Sequence, residues 1–424
     1  MLPETPTPAL IRHAHSQART FLALFNELRP HLHADRNLPA RIQQRLARER
    51  RFGSRDRRLY RELLYTAIRH LPWFENALVA TDAFTPAAAS PAASPFHALL
   101  WLAADSPATL PLKRALLLAA PPAPPAPTER AAFLGLDAAG LLPAWFRSHC
   151  PEAFASPNLD ALNTRAPLWL RLQTDEPAPV LAEFDALGWP HRASPELAGA
   201  LELLFPDADI TKTDAYQRGL VEIQDLGSQL ILPIALAKIA AAPALPLRWL
   251  DACAGAGGKT LQLARLLGPA AQIEAADPRS DALAELARRA ARARLKNIRV
   301  LPPSQPPAAL YDAILVDAPC SGTGTWRRAP HLKWTTTEAD IRAAARLQLE
   351  ILARHAPRVC PGGFLIYATC SLSRHENEAV ATRFLEAHPS FRLLHSETLL
   401  PAARNTDGFH VSVFRKQASP AVEV

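Results

Sequence analysis

The chain is 424 residues long, more than one ordinary core accommodates, so two or three domains are expected. Its formal charge is +7, and all but seven of its 47 Lys and Arg are arginine; this favours a polyanionic partner, although so much arginine, with 41 prolines, also follows from a GC-rich coding sequence. The five cysteines form no CxxC pair and no Cys/His cluster, no apolar run reaches the ~18 residues of a membrane span, and Pro3, Glu4 and Pro6 stand where a secretory signal would be basic and then apolar. These features exclude a disulfide scaffold, a structural zinc site and a membrane protein, and the expectation is a cytoplasmic chain without metal.

From Ser16 to Trp145 the apolar residues recur at helical spacing: Leu38, Ile42 and Leu46, then Leu59, Leu63, Leu64, Ala67 and Ile68. A helical bundle is predicted over residues 1–150, with Gly53 ending one helix and Ser54 capping the next. Arg41, Arg45, Arg48, Arg50, Arg51, Arg55, Arg57, Arg58 and Arg61 fill its polar faces; such a face is either simply solvated or a track for phosphates. The run Pro121-Pro122-Ala123-Pro124-Pro125-Ala126-Pro127 lacks amide donors and reads as a stiff connector between late helices.

At Pro167 the period changes. Leu168, Leu170 and Leu172 alternate, a helix from Pro177 to Leu187 follows, and a further apolar stretch ends near Leu204, which predicts a small β-α-β lobe over residues 155–215. Its pattern fits an RNA-binding lobe and a packing wedge equally. Beyond Gln224-Asp225-Leu226-Gly227-Ser228-Gln229 a long apolar helix opens a third part, residues 216–424. There, strands drawn at 247–252, 272–276, 297–301, 312–316, 364–369, 391–394 and 408–414 alternate with helices, so a mostly parallel sheet with helices on both faces is expected.

Strand ends in such a sheet converge on a ligand crevice. The first is followed by Cys253-Ala254-Gly255-Ala256-Gly257-Gly258-Lys259-Thr260, whose glycines allow close approach to the backbone. Cys253 breaks the triphosphate-loop pattern and Thr260 breaks GxGxxG, which leaves a nucleoside ligand and excludes a triphosphate. Asp277, at the tip of the next strand, stands where a ribose diol is held; a turn aspartate is the plainer reading. Cys320, in Asp317-Ala318-Pro319-Cys320-Ser321-Gly322, and Cys370, in Thr369-Cys370-Ser371, are fifty residues apart, yet each ends a predicted strand, so both thiols are expected in one cleft.

Together with Ser321-Gly322-Thr323-Gly324, Glu376-Asn377-Glu378 and Asp407-Gly408-Phe409, these motifs resemble the Nol/Nop/Sun family of RNA cytosine-5 methyltransferases over about the last 210 residues. The arginine-rich helical part, with Arg55-Asp56-Arg57 before Leu59 and Glu62, resembles the NusB-type domain of the bacterial Sun (Fmu) branch, which modifies small-subunit ribosomal RNA. The resemblance implies a class I Rossmann-like methyltransferase domain preceded by an all-α NusB-like bundle and an RRM-like β-α-β insert. It also implies S-adenosylmethionine as cofactor and a monomer acting on a single-stranded or flipped RNA cytosine.

C5 of cytosine is a weak nucleophile, and adding a thiolate to C6 activates it. By the resemblance Cys370 attacks, Cys320 assists release, Asp317 contacts the cytosine amino group or N3, and Lys259 supports electrostatically. Residues 253–259, Asp277 and Asp317 would hold the cofactor. DNA cytosine-5 methyltransferases instead attack through the cysteine of a Pro-Cys pair, which keeps Cys320 open as the nucleophile. Transfer RNA as substrate and a non-catalytic RNA-binding assembly factor also stay open. The chain departs from the family at Ala256, which stands where proline is usual, at Pro302-Pro303-Ser304 and at His331, these two in place of an acid, and at Gln173 and His410. The missing acid after the third strand implies weaker cofactor binding. Arg327, Arg328 and Lys333 with Trp326 and Trp334 read as a surface for a splayed RNA strand or as an ion-paired surface. Ser373-Arg374-His375-Glu376 reads as a helix capping box, and Cys150 and Cys360 as packing residues.

Overall fold

The computed structural model describes residues 6–418 except 87–89, 119, 206–207, 241–246 and 308, and the statements below concern those residues. The chain divides into two compact units, one comprising residues 1–165 and 326–336, the other 166–325 and 337–424.

The first unit is helical, with helices Pro8–Leu28, Leu38–Arg48, Ser54–Arg69, Pro95–Leu102, Leu110–Leu116 and Pro127–Leu134 as its longer elements. Their apolar stripes meet in one core built around Phe21, Phe25, Leu63, Leu64, Phe74 and Leu99. Gly53, not Ser54, caps the third of these helices: its N–H reaches the Asp56 carboxylate at 3.3 Å, and Ser54 is the first helical residue. The preceding helix stops at Arg48, before Gly53 is reached. Pro127, expected in the connector, is the first residue of its helix, where a missing N–H costs nothing. Arg48, Arg50, Arg55, Arg58 and Arg61 are exposed, whereas Arg41, Arg45 and Arg51 pair with Asp35, Glu27 and Glu49.

The second unit contains two sheets. The smaller begins with the expected strand β1 (Leu168–Leu172) and helix Ala178–Ala186, and then has a short strand not expected, β2 (His191–Ala193), ahead of the apolar stretch ending near Leu204. Two more strands, β3 (Ala200–Leu203) and β4 (Val221–Ile223), complete an antiparallel sheet of order β2-β3-β1-β4. The larger has seven strands: β5 (Arg248–Asp251), β6 (Gln272–Ala275), β7 (Ile298–Val300), β8 (Tyr311–Asp317), β9 (Val359–Thr369), β10 (Phe391–Leu399) and β11 (Phe409–Lys416), ordered β10-β11-β9-β8-β5-β6-β7. Strands β5 to β9 pair in parallel, and β11 lies antiparallel between β9 and β10.

Apolar residues alternate between the two faces: Trp249, Ala313, Leu315 and Ile366 enter one core, Leu250, Ile314, Val316 and Leu365 the other. This is the mostly parallel Rossmann-like sheet expected from the strand spacing. The order in which successive strands are added reverses between the parallel neighbours β5 and β8, so their carboxyl ends open a crevice. Among the described residues no helix is long and apolar enough to cross a membrane.

Candidate active site

The glycine loop leaves β5 and enters helix Gly258–Leu267 through Gly257, whose φ of 89° favours glycine. A Cβ there would also meet Leu261 and Leu286 at 2.7 Å, so a side chain is excluded twice over. The loop forms one wall of a cavity of about 840 Å³, which Gln224, Ser228, Lys259, Asp277, Arg279, Asp317, Pro319, Pro302 and His355 also line.

The predicted cofactor-binding residues gather here. Lys259 is buried, and its Nζ donates to Asp317 Oδ2 at 2.8 Å and Ser228 Oγ at 3.1 Å while lying 5.3 Å from the centre of the Phe409 ring. It is not the solvated side chain that a helix start would otherwise carry. Asp251, at the end of β5, accepts from Thr260 Oγ1 at 2.7 Å, and burial raises its carboxyl to about 7. Burial also pushes the Cys253 thiol up, with Asp251 and Asp317 adding to the effect; a neutral thiol in a backbone turn suits a cavity wall.

Asp277 accepts from Gly255 N–H at 2.9 Å, from Arg279 N–H at 3.0 Å and from the Arg279 guanidinium at 2.8 and 2.9 Å. Burial alone would raise its carboxyl, but these donors together hold it below the usual range. The far wall consists of Leu301, Pro302, Pro303, residues 305–307 and Leu347, Ile351, Arg354 and His355, so Asp277 and Asp317 are the only acids lining the cavity among the described residues. Burial lowers His355 to about 4, and it presents a neutral ring.

The two strand-end cysteines meet. Cys320 Sγ and Cys370 Sγ are 3.1 Å apart, because β8 and β9 are parallel neighbours in register up to Asp317 and Ala368. The hydrogen bond with Cys370, burial and the nearby Glu376 charge push the Cys320 thiol well up. The closing Asp407-Gly408-Phe409 turn packs on the same loops: Gly408 N–H donates to Gly324 O at 2.8 Å, and Gly324 N–H to Cys370 O at 3.0 Å. A side chain at Gly324 would strike the Gly408 carbonyl, which explains its glycine.

Two sequence expectations need correction. Glu376 caps no helix: the next one begins at Glu378, and the Glu376 carboxylate is buried among Ser321, Ser371 and Gln348. Trp326, Arg327 and Lys333 form no RNA surface, being 0%, 2% and 0% exposed; Lys333 Nζ donates to Arg69 O, Leu141 O and Asn163 Oδ1 within the helical unit. His410 is also buried in β11, between Thr398 and Ser412.

Arg171 was not singled out as a site residue. Its guanidinium donates to Gly258 O at 2.8 Å and contacts Gln224, so β1 braces the start of the glycine-loop helix. Its alternating strand context gave no signal of that reach.

Residues 239–415 match the family model of the 16S rRNA methyltransferase RsmB/F. The chain is 32% identical over 294 residues to the ribosomal RNA small subunit methyltransferase B of Vibrio cholerae, covering 65% of each chain. It is 32% identical over 297 residues to that of Salmonella arizonae, covering 65% of this chain and 67% of the relative. It therefore spans about two thirds of the length of these curated relatives. The solved structure of NSun6 from Pyrococcus horikoshii with SFG shares the fold at a TM-score of 0.56 and 17% identity, covering 65% of this chain and 97% of that one. On the sequence matches, the chain belongs to the RsmB/F family of 16S rRNA methyltransferases.

Proposed function

We propose that the protein methylates C5 of a cytosine in small-subunit ribosomal RNA, through a covalent adduct on Cys370 and with S-adenosylmethionine as the methyl donor. The observation that carries this reading is the 3.1 Å contact of Cys320 and Cys370 beside the glycine-walled cavity. Pure binding needs no thiol in the cleft, whereas methyl transfer to C5 needs one to add to C6 and a second can assist release.

The cavity suits a nucleoside-sized ligand in volume, in its exposed loop backbone and in the acid at the tip of β6. Residues 253–259, Asp277 and Asp317 would hold the cofactor, which when bound supplies an electrophilic methyl group on a sulfonium. Everything else falls to the chain. The Cys370 thiolate adds to C6 of the base and drives electron density onto C5. Asp317, oriented by Lys259, accepts a hydrogen bond from the cytosine amino group or holds a protonated N3. After C5 is alkylated its proton passes to a base such as solvent water, the electron pair restores the C5–C6 double bond and Cys370 leaves C6 as a thiolate. Cys320 acts at this stage.

We assign residues 1–150 and the lobe at 155–215 to holding RNA, the first through its exposed arginines, and residues 216–424 to catalysis. Two thiols and the family match favour this over a non-catalytic assembly factor.

The test is a Cys320→Ala variant incubated with S-adenosylmethionine and unmodified RNA. It is expected to accumulate an RNA adduct that survives denaturation, vanishes in Cys320→Ala/Cys370→Ala and maps by sequencing to small-subunit ribosomal RNA. An adduct that forms in Cys370→Ala but not in Cys320→Ala reverses the thiol roles, trapped transfer RNA replaces the substrate, and wild-type protein without methyl transfer sinks the enzymatic reading.

A further inference from the structure

The carboxylate of Glu376 is fully buried and faces only donors. Oε1 accepts from Ser321 N–H at 2.8 Å and from the Gln348 amide at 3.0 Å; Oε2 accepts from Ser371 Oγ–H at 2.7 Å and from the Ser321 hydroxyl. Four donors suit a carboxylate, which only accepts, and would oppose the NH₂ of a glutamine. Burying such a group is costly unless every lone pair is engaged, so its presence calls for a reason that helix capping does not supply.

Its partners provide one. Ser321 follows Cys320 and Ser371 follows Cys370, so a single side chain grips the residue after each thiol. The backbone ladder joining β8 to β9 ends at Ala318 N–H to Ala368 O, 2.9 Å. Beyond it the two turns are joined by Gly324 N–H to Cys370 O, by contacts of Thr323 with Ser371 and Leu372, and by Glu376. Glu376 is itself fixed from behind: Tyr367 Oη–H donates to its carbonyl and, at 2.9 Å, to Gln348 Oε1, while the Gln348 amide reaches Pro319 O at 2.9 Å.

We propose that Glu376 is the positioning residue of the thiol pair, holding the Cys320 turn against the Cys370 turn so that one thiol stands ready to serve the adduct formed by the other. The inference rests on the two-thiol reading above and adds to it a residue that touches neither sulfur's substrate. Loss of Glu376 should therefore separate the thiols before it affects methyl-donor binding, and should stall release more than attack.

The experiment uses the full chain carrying Glu376→Gln. The first readout needs no RNA: two thiols exchange with oxidised dithiothreitol to give a Cys320–Cys370 disulfide and reduced dithiothreitol, and acid quenching with mass analysis gives the equilibrium constant. A drop of about tenfold is expected, equivalent to a potential about 30 mV less negative. The second is the ratio of covalent adduct to released product at steady state, expected to rise about tenfold; a merely structural loss would lower both together. Folded Glu376→Gln protein with the wild-type equilibrium and ratio overturns the proposal. Should that variant not fold, Ser321→Ala/Ser371→Ala, which removes two of the four donors, is judged by the same numbers. A shifted thiol equilibrium in a protein whose wild type never methylates RNA faults the enzymatic reading alone, and an active wild type with an unshifted variant faults Glu376 alone.

Discussion

Asp277 shows how one residue can be legible by position and opaque in detail. Its place at the tip of β6 follows from the strand spacing, and so does its candidacy for a ribose diol. That all its acceptor positions are already engaged by Arg279 and Gly255 does not, because Arg279 is two residues away and could as easily point to solvent. A diol can bind there only as the exposed Arg279 guanidinium swings aside. Arg279→Ala should then tighten S-adenosylmethionine by up to about fivefold, since exposed ion pairs are worth at most ~1 kcal/mol. Titration calorimetry reads this, and weaker binding in the variant would mean that Arg279 itself contacts the cofactor. Glu376 was opaque for a related reason. Its motif Ser373-Arg374-His375-Glu376 satisfies a local capping rule, and only the return of the Cys320 turn reveals the other partners.

Elements were legible where periodicity was strong. All seven strands drawn in the third part exist, with ends shifted by a few residues and β9 starting earlier, at Val359. Register was out of reach, because the S–S contact depends on the pairing of Asp317 with Ala368, fifty residues on, which no local pattern encodes. The helix Ser54–Arg69 carries a second consequence at its C-terminus. His70 is fully buried, its Nδ1–H donates to Thr66 O at 2.9 Å, and burial lowers it to about 3 despite that bond, with Lys333 and Arg69 acting the same way. A base depressed in the fold contributes fully above its unfolded value near 6.5, and that contribution is lost as pH falls toward 3. Stability should therefore drop by roughly 2 kcal/mol between pH 6.5 and 4.5 from this residue alone. His70→Gln, which keeps a donor for Thr66, should flatten that limb in urea titrations; an unchanged slope would place the acid sensitivity elsewhere.

For the whole molecule, the most consequential feature is that residues 326–336 belong to the helical unit although 160 residues separate them from the rest of it. Trp326 is buried with its ring 4.6 Å from that of Phe146, and Trp334 Nε1–H donates to Ile68 O at 2.7 Å. Trp326→Ala should thus destabilise the helical unit by ~3–5 kcal/mol, the usual loss for a deleted core tryptophan. The salt dependence of RNA binding should keep its slope, because no phosphate contact is removed. Normal stability with weakened RNA binding would restore the surface reading of this segment.

Composition and periodicity by themselves determined the helical start, the small lobe, the mostly parallel sheet and the residue types of the crevice, because amphipathic spacing and strand-end motifs act over a few residues. Tertiary structure alone decided which side chains are spent on one another: Lys259 on Asp317, Glu376 on the two cysteine turns, Lys333 on three acceptors of a distant bundle. Buried polar groups must find partners wherever the folded chain supplies them, and those partners lie at sequence separations that local spacing does not register.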